Sequence, residues 1–240
     1  MNTVKLNRIK KLDYATVESL RTLRTNIKFA GDDLKTILFT SAIPDEGKST
    51  VVFNLARSFA DAGDKVLMID TDMRKSVLVG RLKAESLGED KIYGLSHFLS
   101  GQKQLDEVLC RTQYNNINII FAGPKVINPT ELLEKAYFKK LVAAARNTFN
   151  YVLMDCAPLG AAIDAAVVAR ECDAAVLVVA QGRASAKMLI SAREQLEAAD
   201  VKILGAVLNK VQVKKTGYGK YYGRYYGKYY GRYNGKHEAD

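Results

Sequence analysis

The stretch from Thr36 to Ala62 constrains this chain more than any other part of it. Thr36–Thr40 is an apolar, β-branched run that reads as a short strand. It passes through Ser41-Ala-Ile-Pro-Asp-Glu-Gly47-Lys48-Ser49-Thr50 directly into a helical pattern over Ser49–Ala62. A strand that feeds a helix start in this way aims unpaired amides and the helix dipole at one point beyond the strand end. The result is an anion cradle. Ala42, Pro44, Asp45, Glu46, Gly47, Lys48, Ser49 and Thr50 form the expected nucleotide contact. Backbone N–H groups face the β-phosphate, Lys48 reaches the β and γ oxygens, and the Ser49 hydroxyl serves Mg²⁺. The generic pattern, Gly-x-x-x-x-Gly-Lys-Ser/Thr, begins with glycine. Here Ala42 holds that position.

Strand and helix patterns go on alternating along the chain. Further strands are expected at Val66–Asp70, Ile117–Phe121, Tyr151–Asp155, Ala174–Ala180 and Ile203–Leu208, with helices at Thr130–Thr148, Ala161–Arg170 and Ser185–Ala199. Alternation of this kind predicts an α/β fold of the P-loop NTPase class, with a mostly parallel sheet and helices on both faces. Ligands of such sheets bind beyond the carboxyl ends of the strands. Two more carboxylate motifs fall at such ends. Val66-Leu-Met-Ile-Asp70-Thr-Asp72-Met-Arg74 places acids at i and i+2, which on an extended backbone point the same way and suit holding Mg²⁺ or accepting a proton. The competing reading makes Asp70 a helix cap and leaves Asp72 solvated. Tyr151-Val-Leu-Met-Asp155 is an apolar strand ending in an acid, the Walker B arrangement that holds metal directly or through water.

The two ends differ from this middle. A helix over Tyr14–Phe29 would bury Val17, Leu20, Leu23 and Ile27, with Glu18, Arg21 and Arg24 at spacing three on the opposite, charged face. After Lys215 the chain becomes a four-residue repeat of Gly, Tyr and Lys or Arg without aliphatic residues, expected to be disordered when alone. It holds eight of the thirteen tyrosines: Tyr218, Tyr221, Tyr222, Tyr225, Tyr226, Tyr229, Tyr230 and Tyr233. Extended, such a tail reaches on the order of 80–100 Å. Residues 211–240 carry seven basic and two acidic residues, half of the chain's net +10. Alternating aromatic and basic residues also fit a polyanion or nucleic-acid binder, a reading that leaves the nucleotide cradle unused. The expected division is an N-terminal segment and helix over residues 1–30, a P-loop domain over 31–213, and a flexible tyrosine-rich tail over 214–240. The three cysteines lack metal or disulfide spacing, no apolar run is long enough to span a bilayer, and the N-terminus has no secretory pattern, so a cytoplasmic location is expected.

Taken together, Ser41–Ser49, Asp70–Arg74, Leu153–Asp155, Gly94-Leu-Ser-His-Phe-Leu-Ser-Gly101, Pro129-Thr-Glu-Leu-Leu133, Glu18-Ser-Leu-Arg21-Thr-Leu-Arg24 and the tyrosine tail make the chain resemble the bacterial tyrosine kinases (BY-kinases) of capsular and exopolysaccharide synthesis. The likeness covers nearly the whole chain and is to the stand-alone form, whose transmembrane activator is a separate protein. That family tolerates a P-loop without its first glycine. The resemblance implies ATP and Mg²⁺ as cofactors, and an ATP-dependent protein-tyrosine kinase that modifies its own tail in trans. Lys48, Asp70, Asp72 and Asp155 would be catalytic, and Ser49, Asp70, Asp72 and Asp155 would serve the metal. Residues alone leave open which acid is the base; the resemblance favours Asp70. It further implies a ring, commonly an octamer, closed through Glu18, Arg21 and Arg24, recruitment to the inner membrane face by the activator, a phosphatase partner and exogenous protein substrates. Two departures stand out: Ser76 where the family commonly has proline soon after the acidic motif, and Asp155-Cys-Ala-Pro158 in place of Asp-Thr-Pro-Pro. A MinD/ParA-type ATPase switch shares the fold and both Walker elements, but carries an extra lysine at the position Ile43 holds here.

Overall fold

The structure, a computed structural model, describes residues 2–88 and 91–212. The chain divides into two units, Met1–Asn209 and Lys210–Asp240. The eight tail tyrosines and most of the second unit lie outside the described residues.

The first unit opens with β1 (Asn2–Leu6) and α1 (Tyr14–Ala30), followed by β2 (Thr36–Thr40), α2 (Lys48–Asp61), β3 (Val66–Asp70), α3 (Leu78–Leu82) and β4 (Ala84–Ser86). After these come α4 (Leu95–Leu99), α5 (Leu105–Val108), β5 (Leu109–Arg111), β6 (Ile117–Ile120), α6 (Pro129–Leu133) and α7 (Ala136–Thr148). The unit closes with β7 (Tyr151–Asp155), α8 (Asp164–Ala169), β8 (Ala174–Ala180), α9 (Ala186–Ala198) and β9 (Lys202–Asn209). The strands form one sheet in the order β4-β1-β5-β6-β3-β7-β2-β8-β9. The stretch from β6 to β9 is parallel, while the β1–β4 and β5–β6 pairs are antiparallel.

Continuous apolar strands are explained by cover on both faces. Side chains alternate along β2, so Leu38 joins Phe138, Leu141 and Leu196 in one core, while Ile37 and Phe39 join Leu20, Val52 and Phe59 in the other. Three central strands occupy the residues the sequence predicts, and so does β8. The short elements α3, β4, α4, α5 and β5 are not among those expected, α8 is shorter than the helix expected over Ala161–Arg170, and two further differences bear on packing. Asn2–Leu6 is a strand, with Val4 and Leu6 buried and Thr3 and Lys5 exposed, although no strand is expected before Thr36. The single helix expected over Thr130–Thr148 is broken at Lys135, whose backbone is extended (φ −66°, ψ 148°). Leu133 and Phe138 are both buried, yet five helical residues would turn them about 140° apart. The break lets both enter the same core. Among the described residues, no helix is long and apolar enough to cross a membrane.

Candidate active site

β2, β3 and β7 lie side by side, so their carboxyl ends bring the three sequence motifs to one edge of the sheet. The P-loop leaves β2, turns at Asp45 (φ 61°) and Gly47 (φ 89°), and enters α2 at Lys48. Ala42 does not enter the left-handed region, so its Cβ carries no backbone cost at the missing glycine position. Glycine is needed elsewhere. The loop after β7 packs on the P-loop through Leu159 N–H to Ser41 O at 2.9 Å and Gly160 N–H to Ala42 O at 3.1 Å. A Cβ at Gly160 would stand 2.4 Å from the Ala42 carbonyl oxygen.

Glu46 is fully buried and its side chain braces the loop: Oε1 accepts from Ala180 N–H at 2.9 Å, and Oε2 from Ile43 N–H at 3.2 Å. Its carboxylate therefore faces protein amides, which leaves the backbone as its means of touching a phosphate. Asn209, at the end of β9, donates to the Glu46 carbonyl at 2.8 Å. Arg183 donates to the Asp45 carbonyl at 3.2 Å, and Arg81 to the Thr50 hydroxyl at 2.8 Å. Pro44 and Asp45 are exposed at the rim.

The carboxylates stand beside this cradle. Asp70 and Asp155 are register partners on β3 and β7, 1% and 3% exposed. Burial pushes the Asp155 carboxyl up to about 6, while the neighbouring Ser49 hydroxyl and Lys48 ammonium pull it back. Asp70 is held well above the usual carboxylate range, first by burial and then by the Asp155 charge. Asp155 Oδ1 is buried without a hydrogen-bond partner. A buried, orphaned acid oxygen next to Lys48 and Ser49 fits a Mg²⁺ or its water shell. Among the described residues, no three acidic, histidine or cysteine side chains form a preformed metal cage. Mg²⁺ needs none, since one or two carboxylates plus substrate phosphates and water suffice.

Asp72 differs from its expected position. β3 ends at Asp70, so Asp72 lies in the following turn and not on the strand face. Its Oδ1 accepts the N–H groups of Arg74 and Lys75 at 3.2 and 2.9 Å. Its charge still reaches both Asp70 and Asp155.

The AAA domain family matches residues 35–190, the span from β2 into α9. Over 217 residues the chain is 41% identical to a protein of Streptococcus agalactiae named tyrosine-protein kinase CpsD, covering 90% of this chain and 91% of that one. The chain belongs to the bacterial tyrosine kinase family. The kinase domain of the Escherichia coli tyrosine kinase ETK superposes with a TM-score of 0.74 at 30% identity, over 88% of this chain and 86% of that one. MinD of Pyrococcus horikoshii, complexed with Mg-ADP, superposes at 0.61 over 75% and 72%, with 23% identity, which shows a common fold. The protein is thus a nucleotide-binding tyrosine kinase on a P-loop scaffold that it shares with MinD.

As a tyrosine kinase, the chain has contacts around its site that sequence reasoning did not find. Arg74 forks onto Asp164, Nε to Oδ2 at 2.6 Å and Nη2 to Oδ1 at 3.0 Å, and Thr130 donates to the same carboxylate at 2.6 Å. This ties the turn bearing Asp72 to α6 and α8. The signal for it was an acid, Asp164, opening an apolar helix. Gly160 had no signal, because a close approach between two loops depends on the tertiary fold. Arg24, expected beside Glu18 and Arg21 on an outward face, is half-buried instead, and its guanidinium bonds Ser58 O on α2. Position 24 lies four after Leu20 and three before Ile27, so it flanks the apolar stripe. Glu18 and Arg21 pair with each other at 2.6 Å.

Proposed function

We propose that this kinase transfers the γ-phosphoryl group of ATP to the tyrosines of its own C-terminal tail, from one subunit to the next, and so regulates capsular or exopolysaccharide synthesis and export. The observation that carries this is the Asp70–Asp155 pair beside Lys48 and the P-loop, in a chain with eight tyrosines between positions 218 and 233. Lys48 and the P-loop amides hold the β and γ oxygens, including those of the departing ADP. Asp70, aided by Asp72, orients a tyrosine hydroxyl for in-line attack. The phenolic oxygen forms its bond to phosphorus as the bond to the β-phosphate oxygen breaks, and the phenolic proton passes to the carboxylate. Ser49, Asp155, Asp70 and Asp72 would hold Mg²⁺, which supplies neutralisation of phosphate charge when bound.

The unmodified tail is basic and the carboxylate-lined site acidic, so the two attract. Each phosphotyrosine adds about −1.5 to −2 charges, so four reverse the tail's net +5. Modification is then self-limiting, and cycling needs a phosphatase. Delivery in trans would use a homo-oligomeric ring closed through Glu18, Arg21 and Arg24. The exposed Tyr14 and Phe29 on the same helix, and a groove of about 580 Å³ between α1 and α2 lined by Arg21, Arg24 and Arg57, support a contact there. A transmembrane activator would recruit the kinase to the inner membrane face and favour ATP binding, with exogenous proteins as further substrates.

The test mixes two proteins, each inactive towards itself. Lys48→Met supplies an intact tail, and a chain ending at residue 213 supplies an intact site. Phosphotyrosine on the Lys48→Met protein, with the activator's cytoplasmic segment present, is the expected result. Its absence, while the truncated chain still phosphorylates a tyrosine-containing polymer, would contradict transfer between subunits.

A further inference from the structure

Asp70 is the last residue of β3, buried, and faces a second buried acid, Asp155, at the same level of the next strand. Two carboxylates so placed repel, and a side chain at a strand end is free to rotate away unless something holds it. Two donors do. The Asp72 backbone N–H donates to Asp70 Oδ1 at 3.1 Å, and the Ser76 hydroxyl donates to Oδ2. Ser76 is itself oriented. Its oxygen accepts from the Leu78 N–H at 3.3 Å at the start of α3, which occupies a lone pair and leaves the hydroxyl hydrogen for the carboxylate. The far end of the same short helix carries Arg81, which donates to Thr50 of the P-loop. Thus α3 is braced against the acid at one end and the nucleotide cradle at the other.

We propose that Ser76 is a positioning residue for phosphoryl transfer, holding the Asp70 carboxylate in the plane in which it faces the incoming tyrosine hydroxyl. This rests on the reading of Asp70 as the acid that orients the substrate. A carboxylate has about four acceptor sites, so one donor on each oxygen still leaves room for a substrate proton or a metal-bound water. The hydroxyl acts on the transferring step more than on nucleotide capture. Simple capping of α3 is the competing role, and it would affect stability without being specific to Asp70.

The experiment uses the full chain with the activator segment, Mg-ATP and an excess of a random glutamate–tyrosine copolymer, whose phosphorylation is read separately from that of the tail. Wild type is compared with Ser76→Ala, Ser76→Thr, Asp70→Ala and the double variant Ser76→Ala/Asp70→Ala. Affinity for a fluorescent ADP analogue is measured separately, as is thermal unfolding. Ser76→Ala should lower kcat about tenfold, as expected for a misplaced reactive group, with ADP affinity and KM for ATP within about twofold of wild type. Ser76→Thr should restore most of the rate. In the double variant, loss of Ser76 should cost nothing beyond loss of Asp70, because a positioning residue has nothing left to position. Wild-type kcat in Ser76→Ala alongside a crippled Asp70→Ala would overturn the proposal and leave the role of Asp70 intact. So would independent, multiplying losses, or a loss confined to nucleotide affinity or unfolding temperature. Wild-type activity in Asp70→Ala would overturn the reading of Asp70 and this proposal with it.

Discussion

Asp155 has no partner for one buried oxygen and an acidity set by burial, and both matter only when the group is ionised. Its pKa rises from 3.8 to about 6, so it regains its proton as pH falls through 6, where an ordinary aspartate would stay charged to about 4. The charged form is the one that accepts metal. Hence kcat/KM for tyrosine phosphorylation should fall as pH drops below 6, and the raised Asp70, which must also be ionised, moves the onset of that fall only to higher pH. A profile flat down to pH 5 would show that Asp155 is ionised by other means or not required. Removing a charge that contacts the transferring group should cost more: Lys48→Met and Asp70→Ala should each lower the rate at least about a hundredfold in a folded protein, measured as phosphate incorporated into tyrosine. Lys48, Ser49 and Asp155 were legible because their spacing from a strand end fixes where they point. The surroundings of Asp70 were not. Asp72 leaves the strand face because β3 stops two residues earlier, and the Ser76 donor depends on how the following turn closes.

The elements were legible where periodicity and burial agree. β2, β3, β7 and β8 are largely apolar because helices cover both faces, and β3 and β7 end on the carboxylates that interrupt that pattern. β1 shows a plain alternation at Val4 and Leu6, but it is five residues long and its neighbours β4 and β5 are three each, too short to signal a sheet edge. The break between α6 and α7 answers a packing demand that helical spacing alone conceals. The close contact between the β7–α8 loop and the P-loop likewise arises only in the folded sheet. It gives a clean prediction. Gly160→Ala must move the Ala42 carbonyl, 2.4 Å from the new Cβ, and overpacking of this kind costs about 1–3 kcal/mol. Thermal unfolding should drop accordingly, and nucleotide titration should show weaker binding, since the shifted carbonyl belongs to the cradle. Unchanged affinity would mean that the P-loop does not depend on this contact.

For the whole molecule, the fold and family follow from three motifs in order, whereas assembly depends on surfaces that a single chain does not display in use. Replacing Glu18, Arg21 and Arg24 together with alanine should give a folded monomer that modifies its tail poorly even with the activator segment present, by light scattering and phosphotyrosine content. Because Arg24 also bonds Ser58 on α2, a Glu18→Ala/Arg21→Ala variant separates the interface from the packing of α1. An unchanged oligomer in both would dispose of the interface. The tail tyrosines were legible as a composition, and their use as substrates is a matter of chemistry at the site. That chemistry is tested most directly by the intact mass of the purified full chain after incubation with ATP, Mg²⁺ and the activator segment. The account predicts a ladder of single-phosphate steps, mapped by fragmentation to tyrosines between Tyr218 and Tyr233, and no ladder in Lys48→Met. An unmodified mass in the wild type, with ATP consumed, would contradict it.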